Sequence, residues 1–524
     1  MHMSFAFGWF LLIVMGNVES RIYSGWWINP PYYPIFMKFF IHDKRILPFE
    51  IFTIPGFLRF SMDLILLFIL TGLVMAVIKR KRSKWFGVNK TTHLQLSDKV
   101  AMTCLWLIFP LRLMAESFTD GAFGYGGGFV TQHLGNFIAM LIPISDKIIA
   151  YGFWWLYSLS LGIFFVTLPY SRYMHIPTEV LLILFRNFGI KAKKEYSSFS
   201  EVEIYSCSRC GVCIDACQLA TSEDVNNMQS VYFIRSVRNR ELDENALFKC
   251  MICGRCTEAC PVGINIDSLR LIKRKEINRS DHADHSFLKS VQNGSTGIIY
   301  FAGCMSHLTP GIIHAMKGIL EKAGIDYWFM DEKETICCGR PMMLSGKEEQ
   351  AKKMMEINRK AILDSGAEIL VASCPICYRV FKEEYRLPIR IQHHSEFLLD
   401  LVRKGKIPLQ GPFKKIAYHD PCDLGRGTSV YNAPRELLSK MADLVHDGSE
   451  KINAPCCGGS LGALTLDQKH RDEITKNALK TLLEKSPDLL ITACPLCKKT
   501  FRRHAQVGVL DIAEMVYESI PGNN

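Results

Sequence analysis

Long apolar runs fill the first third of the chain. The remainder alternates short apolar runs with amphipathic ones. Residues 3–19, 61–78, 100–115 and 149–170 are the long runs. Each is near the roughly 17–25 residues that cross a bilayer as a helix. Four membrane spans are therefore predicted, with a shorter interfacial helix over residues 131–143. The first run has no basic segment before it and no small-residue cleavage site, so it reads as a retained helix rather than a signal peptide.

Beyond residue 290 the pattern changes period. "GIIYF", "AEILVAS", "KIAYH" and "PDLLITA" read as short buried strands. Helical patterns such as "GKEEQAKKMMEINRKAIL" and "LDQKHRDEITKNALKTLLEK" separate them. Strands alternating with helices predict parallel sheets. The pattern occurs twice, about 118 to 120 residues apart, which marks a duplicated domain.

Charge orients the apolar part. The net charge is +11, and much of it flanks apolar runs. The stretch Lys79 to Lys84 follows the second run, and Arg172, Arg186, Lys191, Lys193 and Lys194 follow the fourth. Both should be cytoplasmic. The loops at 25–36 and 121–128 then fall outside. Membrane contact, not nucleic acid, accounts for the basic balance.

Cysteine decides the chemistry. Of 19 cysteines, only Cys104 stands apart, in an apolar run where a small buried side chain is expected. The spacings are those of metal ligands, so the thiols are read as reduced, not as disulfides. Cys207, Cys210, Cys213 and Cys217 form one C-x2-C-x2-C-x3-C run; Cys250, Cys253, Cys256 and Cys260 form another. This is the run that binds cubane [4Fe-4S] clusters in bacterial ferredoxins, where the fourth Cys serves the other cluster. The expected sets are Cys207, Cys210, Cys213 with Cys260, and Cys250, Cys253, Cys256 with Cys217. The second run ends in Cys-Pro; the first ends Cys217-Gln218, a small departure. The segment between the runs is helical in pattern, so a mainly helical ferredoxin domain is expected.

Each repeat adds five cysteines. The first has Cys304, Cys337, Cys338, Cys374 and Cys377; the second has Cys422, Cys456, Cys457, Cys494 and Cys497. In each, a Cys-Cys-Gly lies between a lone Cys and a C-P-x-C. A C-x-x-C redox disulfide is the alternative for Cys374–Cys377 and Cys494–Cys497.

These repeats resemble the catalytic subunit of heterodisulfide reductases over about residues 298–520. In that family the motif binds a non-cubane [4Fe-4S] cluster that attacks a disulfide, and both motifs are complete here. The resemblance implies one or two non-cubane clusters on the ten cysteines. Residues 200–270 resemble the ferredoxin domain fused to that part in membrane-linked members. The apolar part is similar to the cytochrome b subunit of respiratory nitrate reductase. In relatives one helix carries two haem-ligating histidines; here that spacing pairs Tyr157 with His175. The opposite helix gives His2 and Leu12. The resemblance thus implies one haem b, on His2 and His175.

The expected fold class is multidomain. It comprises an all-α transmembrane bundle (1–185), a mainly helical two-[4Fe-4S] ferredoxin domain (196–275) and two α/β CCG repeats (296–410 and 411–520). The expected function is a multi-pass enzyme of the cell membrane with its iron–sulfur domains in the cytoplasm. It moves electrons between a membrane quinone or phenazine and a soluble disulfide. The alternative is an electron-transfer-flavoprotein:quinone oxidoreductase with the same domain order. His393, His394, His419 and Asp420 are expected in solvated loops, with cluster tuning or proton donation as their alternative role. His133 and Arg112 are interfacial anchors or part of a quinone site.

Overall fold

The computed structural model describes residues 2–23, 55–85, 95–124, 127–141, 147–190, 192, 195–221, 228–278, 294, 296–333, 336–411, 414–445 and 448–522. The chain folds into two compact units, Met1–Pro177 and Thr178–Asn524. The loop expected at 25–36 lies outside the described residues.

The first unit is helical. Three of its helices are long and apolar enough to cross a membrane by length and composition: Gly56–Ile78, Leu96–Phe123 and Lys147–Tyr170. The first expected span is a helix over His2–Tyr23, apolar over Phe7–Gly16. The shorter expected helix runs from Phe129 to Leu141. Leu12, Met62, Ile69, Phe109, Tyr157 and Phe164 pack inside, together with Cys104. Phe57, Phe60, Leu64, Leu156, Leu159 and Val166 point outward and are exposed. The buried charged groups Asp63 and Arg112 are paired. Asp63 accepts hydrogen bonds from the amides of Val130 (2.7 Å) and Thr131 (3.1 Å) at the start of the short helix. There the free N–H groups and the helix dipole favour an anion. Arg112 pairs with Glu116 at 2.7 Å, as a charge inside an apolar bundle must. His133 lies on the exposed face of the short helix.

The second unit opens with helices and turns over Ser198–Ile277, followed by two α/β repeats. The first repeat has strands β1 (Ile298–Phe301), β2 (Trp328–Phe329), β3 (Ile369–Ala372) and β4 (Arg390–His393). The second has β5 (Lys415–His419), β6 (Asp443–Leu444), β7 (Leu489–Thr492) and β8 (Gly508–Asp511). The strand orders are β2-β1-β3-β4 and β6-β5-β7-β8, parallel throughout. The strands are apolar on both faces because helices cover both sides.

The order reverses between β1 and β3, and again between β5 and β7. Such switch points open a crevice at the carboxyl ends of the strands. Cys304 and Cys374 follow β1 and β3; Cys422 and Cys494 follow β5 and β7. One apolar core runs through both repeats, from Tyr300 and Phe301 to Ile512 and Val516. A smaller cluster joins Leu219 and Met251 of the helical part to Cys456, Ala463, Leu466 and Ile474 of the second repeat.

Candidate iron–sulfur centres

The two ferredoxin-type runs share a backbone device. Arg209 (φ 56°) and Ile252 (φ 52°) take left-handed conformations at matching positions, and Gly211 (φ 86°) and Gly254 (φ 73°) follow. Left-handed backbone is costly for a β-branched residue such as Ile252. Here it curls the chain around the cysteines. The amide of Ile252 lies 3.4 Å from Sγ of Cys250, the kind of hydrogen bond that tunes a cluster's potential.

The sulfurs gather in two groups. Cys207, Cys210, Cys213 and Cys260 line one cavity of about 400 Å³ with Val231, Ile234 and Ile264. Burial, and then the neighbouring Cys207, pushes the Cys213 thiol up to about 12. Cys217 is raised to about 12 by burial and by Cys250 and Cys253 beside it. Cys256 is raised for the same reasons. The fourth cysteine of each run thus stands with the first three of the other. Among the described residues, no three His, Cys, Asp or Glu side chains close on a point that would hold a single metal ion.

The repeats gather five cysteines each. Burial, Cys374 and Cys338 push Cys304 up to about 12. Hydrogen bonds from its partners Cys337 and Cys377 pull Cys338 down. Cys457 is pulled down likewise by Cys456 and Cys497. Amides of Gly339 and Gly459 lie 3.5 and 3.4 Å from Sγ of Cys337 and Cys457. The Gly of each Cys-Cys-Gly is left-handed, Gly339 at φ 93° and Gly458 at φ 86°. Cys422, Cys456, Cys457, Cys494 and Cys497 all line one cavity of about 480 Å³. Its other walls are mostly apolar, including Met251, Ile252, Leu344, Ile376 and Leu496. A polar cavity of about 560 Å³ shares Ile252, Cys422 and Asp423 with it and adds Arg379 and Arg426. Arg379 reaches Asp423 at 3.2 Å.

Four arginines surround these sulfurs. Arg274 is wholly buried and donates to carbonyls of Leu247 (2.7 Å), Cys250 (3.0 Å), Leu344 (2.7 Å) and Gly462 (2.7 Å). Arg426 donates to Cys253 (2.8 Å) and Ala454 (2.8 Å). Arg270 donates to Met228 (2.8 Å) and lies over Phe233. Arg471 donates to Ser460 (3.0 Å) and Leu466 (3.1 Å). Among the described residues no carboxylate pairs with any of the four. A buried cation needs a counter-charge. Thiolates carrying a net anionic cluster supply it, so the residues fit iron–sulfur groups.

Four residues expected in solvated loops are buried instead. His393 and His394 have no exposure, and His419 and Asp420 have 1% and 2%. They sit at or just beyond the ends of β4 and β5, where the parallel sheet delivers them inside. Asp420 pairs with Arg435 at 2.6 Å. His419 has a ring nitrogen 3.0 Å from the carbonyl of Pro455, just before Cys456. In the first unit, Nδ1 of His175 lies 2.6 Å from the carbonyl of Arg172. His2 begins its helix, and its side chain lies outside the described residues. No disulfide joins any of the 19 cysteines.

Comparison with known proteins agrees with this geometry. Residues 298–382 and 416–502 each match the cysteine-rich domain, CCG. Residues 203–264 match the 4Fe-4S dicluster domain. A 362-residue stretch is 26% identical to the D subunit of the dihydromethanophenazine:CoB–CoM heterodisulfide reductase of Methanosarcina barkeri, covering 64% of this chain and 84% of that one. The chain is homologous to the D subunit of heterodisulfide reductase. The B subunit of the fumarate reductase (CoM/CoB) of Methanothermobacter marburgensis is 25% identical over 60% of this chain and 62% of its own. The EtfAB:quinone oxidoreductase of Syntrophomonas wolfei is 26% identical over 39% of this chain and 31% of its own. These relatives are iron–sulfur oxidoreductases, and this chain is an iron–sulfur oxidoreductase related to them.

Gln218 and the four arginines escaped the sequence reading. The only signal for Gln218 was its place after Cys217, where the other run has proline. The arginines left none, because their partners are distant carbonyls.

Proposed function

We propose that this chain is a multi-pass membrane oxidoreductase of the heterodisulfide reductase type. It exchanges electrons between a quinone or phenazine of the bilayer and a disulfide or thiol in the cytoplasm. The observation that carries the reading is the contiguity of the cysteine sets. The Cys217 set meets the second five-cysteine set through Cys253, Cys456 and Met251, whose sulfur lies 3.6 Å from that of Cys456.

The residues divide the work. Cys207, Cys210, Cys213 and Cys260 would hold one cubane, and Cys217, Cys250, Cys253 and Cys256 the other. Each repeat's five cysteines would hold a non-cubane centre. Cubanes carry single electrons, and the five-cysteine centres supply a metal-bound sulfur site where a disulfide can be cut. Overall, a disulfide takes up two electrons and two protons, its S–S bond breaks and two thiols leave. Apolar Met251, Leu344, Ile376 and Leu496 exclude water from the second set. The polar cavity at Cys422 and Asp423, lined by Glu258, Asp267, Arg379 and Arg426, gives polar solutes a way in.

The outward apolar faces of Gly56–Ile78 and Lys147–Tyr170 fit lipid. One haem b on His2 and His175 is part of the proposal. The Arg172 carbonyl beside Nδ1 of His175 is the kind of partner that fixes a ligating imidazole.

Electron input from a flavoprotein is the second reading, favoured by the similarity to the EtfAB:quinone oxidoreductase. The test is anaerobic purification with iron analysis and EPR, followed by paired assays. A heterodisulfide with a reduced dye and a reduced flavoprotein with a quinone are the two substrates. About sixteen iron atoms per chain and turnover of the disulfide are expected, and fewer than about eight would overturn the four-centre reading. Turnover with the flavoprotein alone would replace the first reading by the second. A reduced-minus-oxidised spectrum without a b-type band removes the haem.

A further inference from the structure

Gln218 stands where the second ferredoxin run has Pro261. It is 9% exposed. Its Nε2 donates to the carbonyl of Cys456 at 3.2 Å, and its Oε1 accepts from the amide of Cys456 at 2.5 Å. One side chain therefore saturates the backbone of the first cysteine in the second repeat's Cys-Cys pair. A proline offers neither group. Close by, Ser460 Oγ donates to the carbonyl of Met251 at 2.5 Å. The bonds of Arg426 to Cys253 and Ala454 close the same seam.

Among the described residues the first repeat has no such link. The carbonyl of Cys337, which corresponds to Cys456, accepts instead from Asn358 of its own repeat at 2.9 Å. The two repeats are alike in strand order and in cysteines, yet among the described residues the ferredoxin part grips the backbone of only one of these two cysteines. The bonded route is also short: Cys217, the adjacent Gln218, one hydrogen bond, Cys456.

We propose that Gln218 is a positioning residue that sets the separation between the Cys217 set and the second five-cysteine set, making the second repeat the one that exchanges electrons with the ferredoxin part. This rests on the reading that both sets hold iron–sulfur centres. The step is a one-electron transfer. The Cys217 side is oxidised, the Cys456 side is reduced, and no bond or proton changes place. The first repeat, with Cys374 near Cys494, lies one step farther along.

The test uses the full-length protein. Gln218→Met keeps the volume and the apolar surroundings while removing both bonds; Gln218→Glu keeps an acceptor for the Cys456 amide. Iron content, EPR-monitored potentials and the freeze-quench rate of electron equilibration between the two centres are measured for each. Gln218→Met should keep its iron and its cubane potentials while equilibration slows severalfold, because the rate of electron transfer falls exponentially with the separation of the centres. Gln218→Glu should recover part of the rate. A wild-type rate in iron-replete Gln218→Met overturns the inference and leaves the proposed function standing. Absence of a redox-active centre on the second set in the wild-type protein overturns both. If Gln218→Met loses iron, Gln218→Glu decides: slowed transfer supports the inference, and an unchanged rate overturns it.

Discussion

Nε2 of His394 lies 3.3 Å from Oδ1 of Asp511, with neither side chain exposed. The pair joins the repeats where β4 and β8 end. The His393 ring lies 4.2 Å from that of His394, and backbone groups of Ser373 and Ala493 face it. Those two residues precede Cys374 and Cys494, so the seam underlies both C-P-x-C turns.

Acid should loosen this seam. Burial depresses both histidines, His394 to about 3. Unfolded histidines take up protons below about 6.5, and the native pair refuses them. Stability contributed by the pair is therefore present above about pH 6.5 and is lost as pH falls towards 3. Burial raises Asp511, which opposes the trend by one proton. Removing His394 as His394→Gln should reduce the decline by about 1.4 kcal/mol in total between pH 7.5 and 5.5. Denaturant midpoints of wild type and variant between pH 7.5 and 5.5 check it; parallel declines would exclude the seam as the cause.

Arg274 should act as a three-way clasp. Its guanidinium holds the ferredoxin part at Leu247 and Cys250, the first repeat at Leu344 and the second at Gly462. Arg274→Met strands those carbonyls and removes a charge beside Cys250. A loss of about 3–5 kcal/mol is expected, the scale for breaking a buried charged network. The thermal midpoint should fall and limited proteolysis should release the ferredoxin part. Arg274→Lys, which keeps the charge without the fork, should lose less.

The two Cys-Cys-Gly glycines should differ. An alanine at either pays about 1–2 kcal/mol for left-handed backbone. At Gly458 its Cβ also meets the Arg471 carbonyl at 2.7 Å and Thr475 Oγ1 at 2.6 Å. At Gly339 it meets the flexible tip of Met355 at 3.1 Å. Gly458→Ala should therefore lose iron from its repeat while Gly339→Ala largely keeps it. Iron per chain and the EPR signal of each variant decide.

Stripping the iron should unbalance the arginines. Without a bound anion, Arg270 and Arg274 are buried cations, and Arg426 and Arg471 partly buried ones, that lack carboxylate partners among the described residues. Chelation should lower the thermal midpoint well beyond any loss of activity. Sulfate should recover part of it more effectively than chloride at equal ionic strength. An apo protein as stable as the holo form would show that the arginines are balanced otherwise.

Much of this was legible in the residues. Cysteine spacing is a local property, and a ligand run must curl the same way wherever it occurs. The Cys-Cys-Gly repeat and the apolar strand runs likewise record their own duplication and burial. The helical ferredoxin part followed from its periodicity. His393, His394, His419 and Asp420 were misplaced because strand ends in a parallel sheet look polar, like loops, yet point into the crevice.

By itself the sequence determined the thiol inventory, the duplicated α/β unit and the long apolar helices, since each depends on neighbours a few residues away. Only the tertiary structure decided which repeat's Cys-Cys backbone the ferredoxin part grips, how one arginine ties three segments together, and what Gln218 does in the place of a proline. Those outcomes depend on groups more than 200 residues apart, as Gln218 and Cys456 are. Chain pattern carries no record of such pairs until burial forces their hydrogen bonds to be satisfied.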